Sequence, residues 1–253
     1  MIAWISLLLL CVHSAVGFSH PVIWTHCPTN CSCAAGDGTS SSLTVDCQAR
    51  TGVDREQLAD QLDTLLYSNR TYGHLTSLSI TSTPLTQLPH SICRLTTLTE
   101  LHLDCNRLTR LPDNCLSNLL NLVVFSAHDN AVEMLQNGVF DGLTKLQYLD
   151  LNRNRISSIG LSVFATSSNL PSLFTIKLSE NNLTSLEPWV YDRGIIGSFR
   201  KIVHINLTYN KISKFTNRMG FYAEQCLIKI PYAHVFLENN TLNILRIFLM
   251  DII

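Results

Sequence analysis

Apolar residues recur along this chain at a fixed spacing. The run Leu75-x-x-Leu78-x-Ile80-x-x-Thr83-x-Leu85 returns as Leu98/Leu101/Leu103/Asn106/Leu108, Leu122/Phe125/Ala127/Asn130/Val132 and Leu146/Leu149/Leu151/Asn154/Ile156. Three further copies are Leu173/Ile176/Leu178/Asn181/Leu183, Ile202/Ile205/Leu207/Asn210/Ile212 and a looser Tyr232/Val235/Leu237/Asn240/Leu242. The fourth and sixth positions of each copy follow the period of two of a strand, so they enter one core while the residues between them face outward. The Asn stands where the chain turns away from the strand. Its amide both donates and accepts, so a column of such residues can satisfy backbone groups that a tight turn would bury unpaired. Phe140 and Phe164 return on the opposite side and fill the coil. Upstream, Leu58, Leu62, Leu65 and Leu66 fall at i, i+4, i+7 and i+8, which predicts one apolar helical face with Asp54 as N-cap.

No single copy buries its own apolar face, so seven copies imply coils stacked on one another. Parallel strands on one side and bulkier returns on the other bend such a stack into an arc, with seven strands covering roughly 30 Å. The longer fifth and sixth copies carry Glu187 to Tyr191 and Thr216 to Pro231, expected as irregular or helical convex segments. From Cys27 to about Leu245 the pattern resembles the extracellular leucine-rich repeat superfamily. The resemblance implies an α/β solenoid, a curved horseshoe with a parallel concave sheet, an irregular or helical convex side and a disulfide-closed N-terminal cap. The expected organisation is a signal peptide over 1–17, the cap and first coil over 18–74, seven repeats over 75–245 and an atypical or truncated end over 246–253.

The signal peptide rests on the apolar run Ile5 to Val12 followed by Ala15-Val16-Gly17, too short to span a bilayer. It changes the meaning of the nine Cys. Once Cys11 is removed, the remainder is even and secreted, which favours disulfides over metal thiolates. Five Asn-x-Ser/Thr sequons, at Asn30, Asn69, Asn182, Asn206 and Asn239, agree with that route and are candidate glycosylation sites. The spacing of Cys27, Cys31, Cys33 and Cys47 resembles the family's N-terminal cap, and this resemblance implies the pairs Cys27 with Cys33 and Cys31 with Cys47. Four Cys allow three connectivities, and spacing alone does not choose; a zinc knuckle with His26 is the rival reading. Cys93 and Cys115 lie near equivalent positions of successive returns, as a disulfide or as reduced core thiols. Cys105 and Cys226 have no evident partners. The apolar end after Leu245 has no closing Cys cluster, which favours a fragment of a longer receptor over an end covered by a partner or an atypical last coil.

With 46% hydrophobic and 15% charged residues and a net charge of -1, the chain is neither a disordered tail nor a binder of phosphate backbones. Nucleic acid is not an expected partner. The chain carries no Gly-x-Ser-x-Gly, His-Glu-x-x-His, phosphate loop or dinucleotide fingerprint, so neither catalytic residues nor a cofactor is assigned. Binding falls instead to the outward strand residues Glu100, His102, Asp104, Ser126, His128, Tyr148, Asp150, Asn152, Lys177 and Ser179, a mixed polar surface suited to a protein, peptide or glycan. His102, Asp104 and His128 converge on neighbouring strands, but solvated residues there need no metal and no second shell is evident, so no metal is assigned. The long fifth repeat, with Leu186 to Trp189 and then Lys211 to Asn217, is similar to the ectodomain of an invertebrate Toll-like receptor. That likeness implies a secreted binder or the extracellular part of a membrane receptor, with innate immune recognition as its role. The alternative is a structural or adhesive matrix protein.

Overall fold

The computed structural model describes residues 27–29, 31–34, 42–46, 57–68, 75–111, 115–164, 170–186, 203–215, 233–236 and 238–241. The signal segment, Asn30, Cys47, Asp54, Asn69, Cys226, the long returns at 187–191 and 216–231, and the end over 246–253 lie outside the described residues.

Nine strands form one sheet: β1 (Ser32–Ala34), β2 (Ser42–Asp46), β3 (Ser77–Thr81), β4 (Glu100–His102), β5 (Val124–Ser126), β7 (Tyr148–Asp150), β9 (Thr175–Lys177), β11 (Val203–Asn206) and β13 (Ala233–Phe236). They lie in the order of the chain, all parallel except the β1–β2 pair. The register joins equivalent positions of successive copies, so Leu78, Leu101, Phe125, Leu149, Ile176 and Ile205 form one fully buried row. The period-two pattern therefore sets both the strand and its partner, because a slip of one residue would turn every such row to solvent.

The asparagines form the expected column. In Asn106, Asn130, Asn154, Asn181 and Asn210, Nδ2 donates to the carbonyl of the preceding Leu or Ala in its own coil and to that of the equivalent residue one coil earlier. Oδ1 of the last four accepts the N–H of Leu108, Val132, Ile156 and Leu183, two residues beyond the Asn or its counterpart in the coil before. The backbone leaves each strand from β3 onward through a left-handed residue just ahead of that column: Ser82, Cys105, Asp129, Arg153, Glu180, Tyr209 and Asn239 have φ between 52° and 58°. Past this turn run short second strands, β6 (Met134–Leu135) with β8 (Ser158–Ile159) and β10 (Ser185–Leu186) with β12 (Lys214–Phe215), both parallel.

Phe125 of β5 and, on the return side, Phe140 and Phe164 are buried in succession, with neighbouring ring centroids 6.2 Å apart. Leu58, Leu62, Leu65 and Leu66 of α1 (Leu58–Ser68) are fully buried, as their spacing predicts. The helix ties two regions together. Gln61 Oε1 accepts the N–H of Thr29 in the cap, and Asp63 Oδ1 accepts that of Ser91 in the first return. Cys27 is disulfide-bonded to Cys33 and Cys93 to Cys115, while Cys31 is also in a disulfide. The second of these settles the thiol-or-disulfide question at Cys93 and Cys115.

Candidate functional site

The sheet face opposite the core, concave in the expected horseshoe, carries its side chains in rows set by the register. One row is Ser77, Glu100, Val124, Tyr148, Thr175 and His204; the next is Ser79, His102, Ser126, Asp150, Lys177 and Asn206. Beyond the strands, backbone hydrogen bonds carry the pairing two residues further. Leu103 N–H donates to Ser126 O, and Cys105 N–H to His128 O at 2.9 Å. Asp129 N–H likewise donates to Asn152 O at 3.0 Å, and Arg153 N–H to Ser179 O at 2.9 Å. These bonds extend the face to Asp104, His128, Asn152 and Ser179.

All ten sequence-predicted site residues lie on this face, but in two groups with different surroundings. Around β7 and β9, Tyr148 Oη donates to Asp150 Oδ2 at 3.0 Å, Lys177 Nζ lies 3.3 Å from the same oxygen, and that ammonium sits 4.9 Å from the Tyr148 ring centroid. Asp150 is buried, and its other oxygen accepts the Asn152 N–H. Asn152 Oδ1 in turn accepts from the backbone and hydroxyl of buried Ser179. Burial pushes the Tyr148 phenol above its ordinary value, and a hydrogen bond with Tyr148 raises the Lys177 ammonium. The result is an aromatic ring held with a cation against it, the arrangement that gives an interface anchor both apolar area and a fixed charge.

The second group is acidic and imidazole-rich. Glu100 Oε2 lies 3.9 Å from His102 Nε2, His102 Nδ1 lies 4.0 Å from Asp104 Oδ2, and His128 Nε2 lies 3.5 Å from that same oxygen. Asp104 Oδ1 accepts from the Ser126 hydroxyl and from the His128 backbone N–H. Ser126 is buried; like Asp150 and Ser179 it supports its neighbours more than it meets solvent. Strand parity places a residue on the open face, but does not say whether longer neighbours will cover it. Three side chains beside this group were missed as site residues: Cys105, Asp129 and Arg153. They belong to the left-handed turn, where alternation no longer predicts direction. Burial first, then Asp129 and Asp104, raise the exposed Cys105 thiol above its ordinary value.

Of the sequons, Asn182 is half-buried and its Oδ1 accepts from Lys211 Nζ at 2.8 Å. Asn206 stands in the open-face row beside Lys177, its Oδ1 accepting from the Thr208 N–H and hydroxyl. Asn239 is exposed. No helix among the described residues is long and apolar enough to cross a membrane. The disulfides fit an oxidising compartment.

The pattern of the leucine rich repeat family matches residues 96–156, which includes the second, third and fourth strand-to-Asn units and the acidic group. The chain is 30% identical over 161 residues to the leucine-rich repeat-containing G-protein coupled receptor 5 of Rattus norvegicus, covering 63% of this chain and 16% of the receptor. It is 32% identical over 130 residues to fibromodulin of Sus scrofa, covering 51% of this chain and 78% of fibromodulin. The solved structure of a Leptospira interrogans LRR protein superposes with a TM-score of 0.54 at 23% identity, over 72% of this chain and 40% of that one, a likeness of fold. Its relatives include receptors and extracellular matrix proteins. With the stacked coils, the asparagine column and the disulfide-bonded N-terminus, these similarities establish that the chain belongs to the leucine-rich repeat family.

Proposed function

We propose that this chain is an extracellular recognition module that binds a protein, peptide or glycan across the open face of its sheet. The carrying observation is the Tyr148–Asp150–Lys177 group, an aromatic anchor fixed from below by a buried carboxylate. It lies on the same face as the anionic group of Glu100, Asp104 and Asp129, so the face offers a ligand both a cation and a negative field. Such a mixed footprint gives specificity by charge complementarity around a central aromatic contact. The finer reading is a Toll-like, innate immune receptor ectodomain or soluble binder that recognises its ligand without transforming it. The second reading, a structural or adhesive matrix protein, is favoured by the similarity to fibromodulin over 78% of that protein.

The glycosylated chain should be passed over immobilised lipopolysaccharide, peptidoglycan and fibrillar collagen. The immune reading expects saturable capture by a microbial polymer, weakened at least about 10-fold by Tyr148→Ala, the range of an interface hot spot. Capture by collagen alone supports the matrix reading. Binding to either surface that is unchanged in Tyr148→Ala and Lys177→Ala would remove the open face from recognition.

A further inference from the structure

We propose that Cys105, His128 and Asp129 form a Zn2+ site in which Asp104 orients the imidazole. One potential ligand atom from each of the three residues lies within 4.8 Å of the other two. A tetrahedral zinc shell with bonds near 2.0–2.3 Å puts its ligand atoms roughly 3.5 Å apart, so closure needs only rotamer adjustment. All three side chains are exposed or half-exposed and free to make it. The backbone beneath them is already fixed, because the N–H groups of Cys105 and Asp129 each donate to the next coil.

The two nitrogens of His128 face different carboxylates. Nδ1 lies 2.7 Å from Asp129 Oδ2, whereas Nε2 lies 3.5 Å from Asp104 Oδ2. Coordination through Nδ1 leaves Nε2–H to donate to Asp104, the outer carboxylate that metal-bound imidazoles ordinarily keep. Asp104 is itself held by the Ser126 hydroxyl and the His128 N–H, so the orienting group is oriented in turn. Arg153 Nη1 lies 3.8 Å from Asp129 Oδ1 and Arg153 Nε binds Glu180, which leaves Asp129 Oδ2 on the His128 side. His102 also approaches Asp104, at 4.0 Å, but is not among the three grouped ligands.

A thiol, an imidazole and a carboxylate form a donor set for zinc; calcium and magnesium favour oxygen alone. Cys105 is the free cysteine among the described residues. Binding replaces its S–H bond with an S–Zn bond and releases the proton to water, with no electron transferred. Three protein ligands leave one position, filled by water in the isolated chain.

The test uses the full-length chain, stripped of metal and titrated with Co2+ and then Zn2+ as the only added ligands. One equivalent of Co2+ should give a near-ultraviolet thiolate-to-cobalt band that Zn2+ bleaches. Cys105→Ser should abolish the band with an unchanged circular dichroism spectrum, and Cys226→Ser should retain it. Asp104→Asn should keep the band while weakening Zn2+ about 10- to 100-fold, the effect expected of an outer-shell partner. A wild-type chain with no band, a band that survives Cys105→Ser, or Zn2+ affinity unchanged in both His128→Gln and Asp129→Asn would overturn the site.

Discussion

At Asn154 one amide makes four hydrogen bonds that join two coils: Nδ2 to the carbonyls of Ala127, Leu151 and Asn152, and Oδ1 from the N–H of Val132. Asn154 and three of these bonds are buried, so Asn154→Ala strands backbone groups where water does not reach them. The expected loss is about 3 kcal/mol, read from the urea midpoint, and a variant within about 0.5 kcal/mol of wild type would refute the ladder's role. Asn154 was legible in the sequence because its place after the sixth position repeats. Cys105 and Asp129 were not. The residues at φ 57° and 54° leave the strand's alternation, so the sequence brought together His102, Asp104 and His128 where the structure groups Cys105, His128 and Asp129. Asp104 was read from the sequence, but its approach to Nε2 of His128 is visible only once that side chain is placed.

Between strands, the returns carry much of the cohesion. Cys93 lies in a 3₁₀ helix (His90–Arg94), and Cys115 directly precedes another (Leu116–Asn118); their disulfide joins successive returns with a Cα separation of 4.7 Å. The bond closes a sequence separation of 22 residues, for which the chain-entropy estimate is about 3 kcal/mol. The double variant Cys93→Ala/Cys115→Ala should therefore lower the unfolding free energy from urea titration by about that amount; no change would show that the neighbouring packing alone holds the returns. Strands and α1 were readable at this scale because their apolar periods, two and 3.6, are unmistakable. The antiparallel β1–β2 pair was not, since Ser32–Ala34 is three residues long with only Cys33 half-buried, too short to show an alternation. The second strands β6, β8, β10 and β12 are two residues each, too short to leave a period.

Over the whole molecule, each coil depends chiefly on its two neighbours, so a change on the open face is not transmitted to the core as it would be in a globular domain. Asn206 tests this separation. A glycan there would stand on the sheet beside Lys177, while Ile205 and Leu207 on either side stay buried. Asn206→Gln should fold and be secreted as wild type, at a cost of about 1 kcal/mol for the bonds from Thr208, and migrate without one glycan. Secretion as poor as that of a core variant would contradict the placement. The stacking, register and face were legible from the repeat alone; the division of that face into buried supports and exposed contacts was not, because it depends on side-chain length across strands. Seven left-handed turn residues line one edge of the described sheet. All seven differ in type between coils, from Ser82 through Cys105, Asp129, Arg153, Glu180 and Tyr209 to Asn239, while the backbone beneath them keeps one conformation. The margin of the sheet is therefore a row of interchangeable positions, where new chemistry can be written coil by coil without redrawing the scaffold.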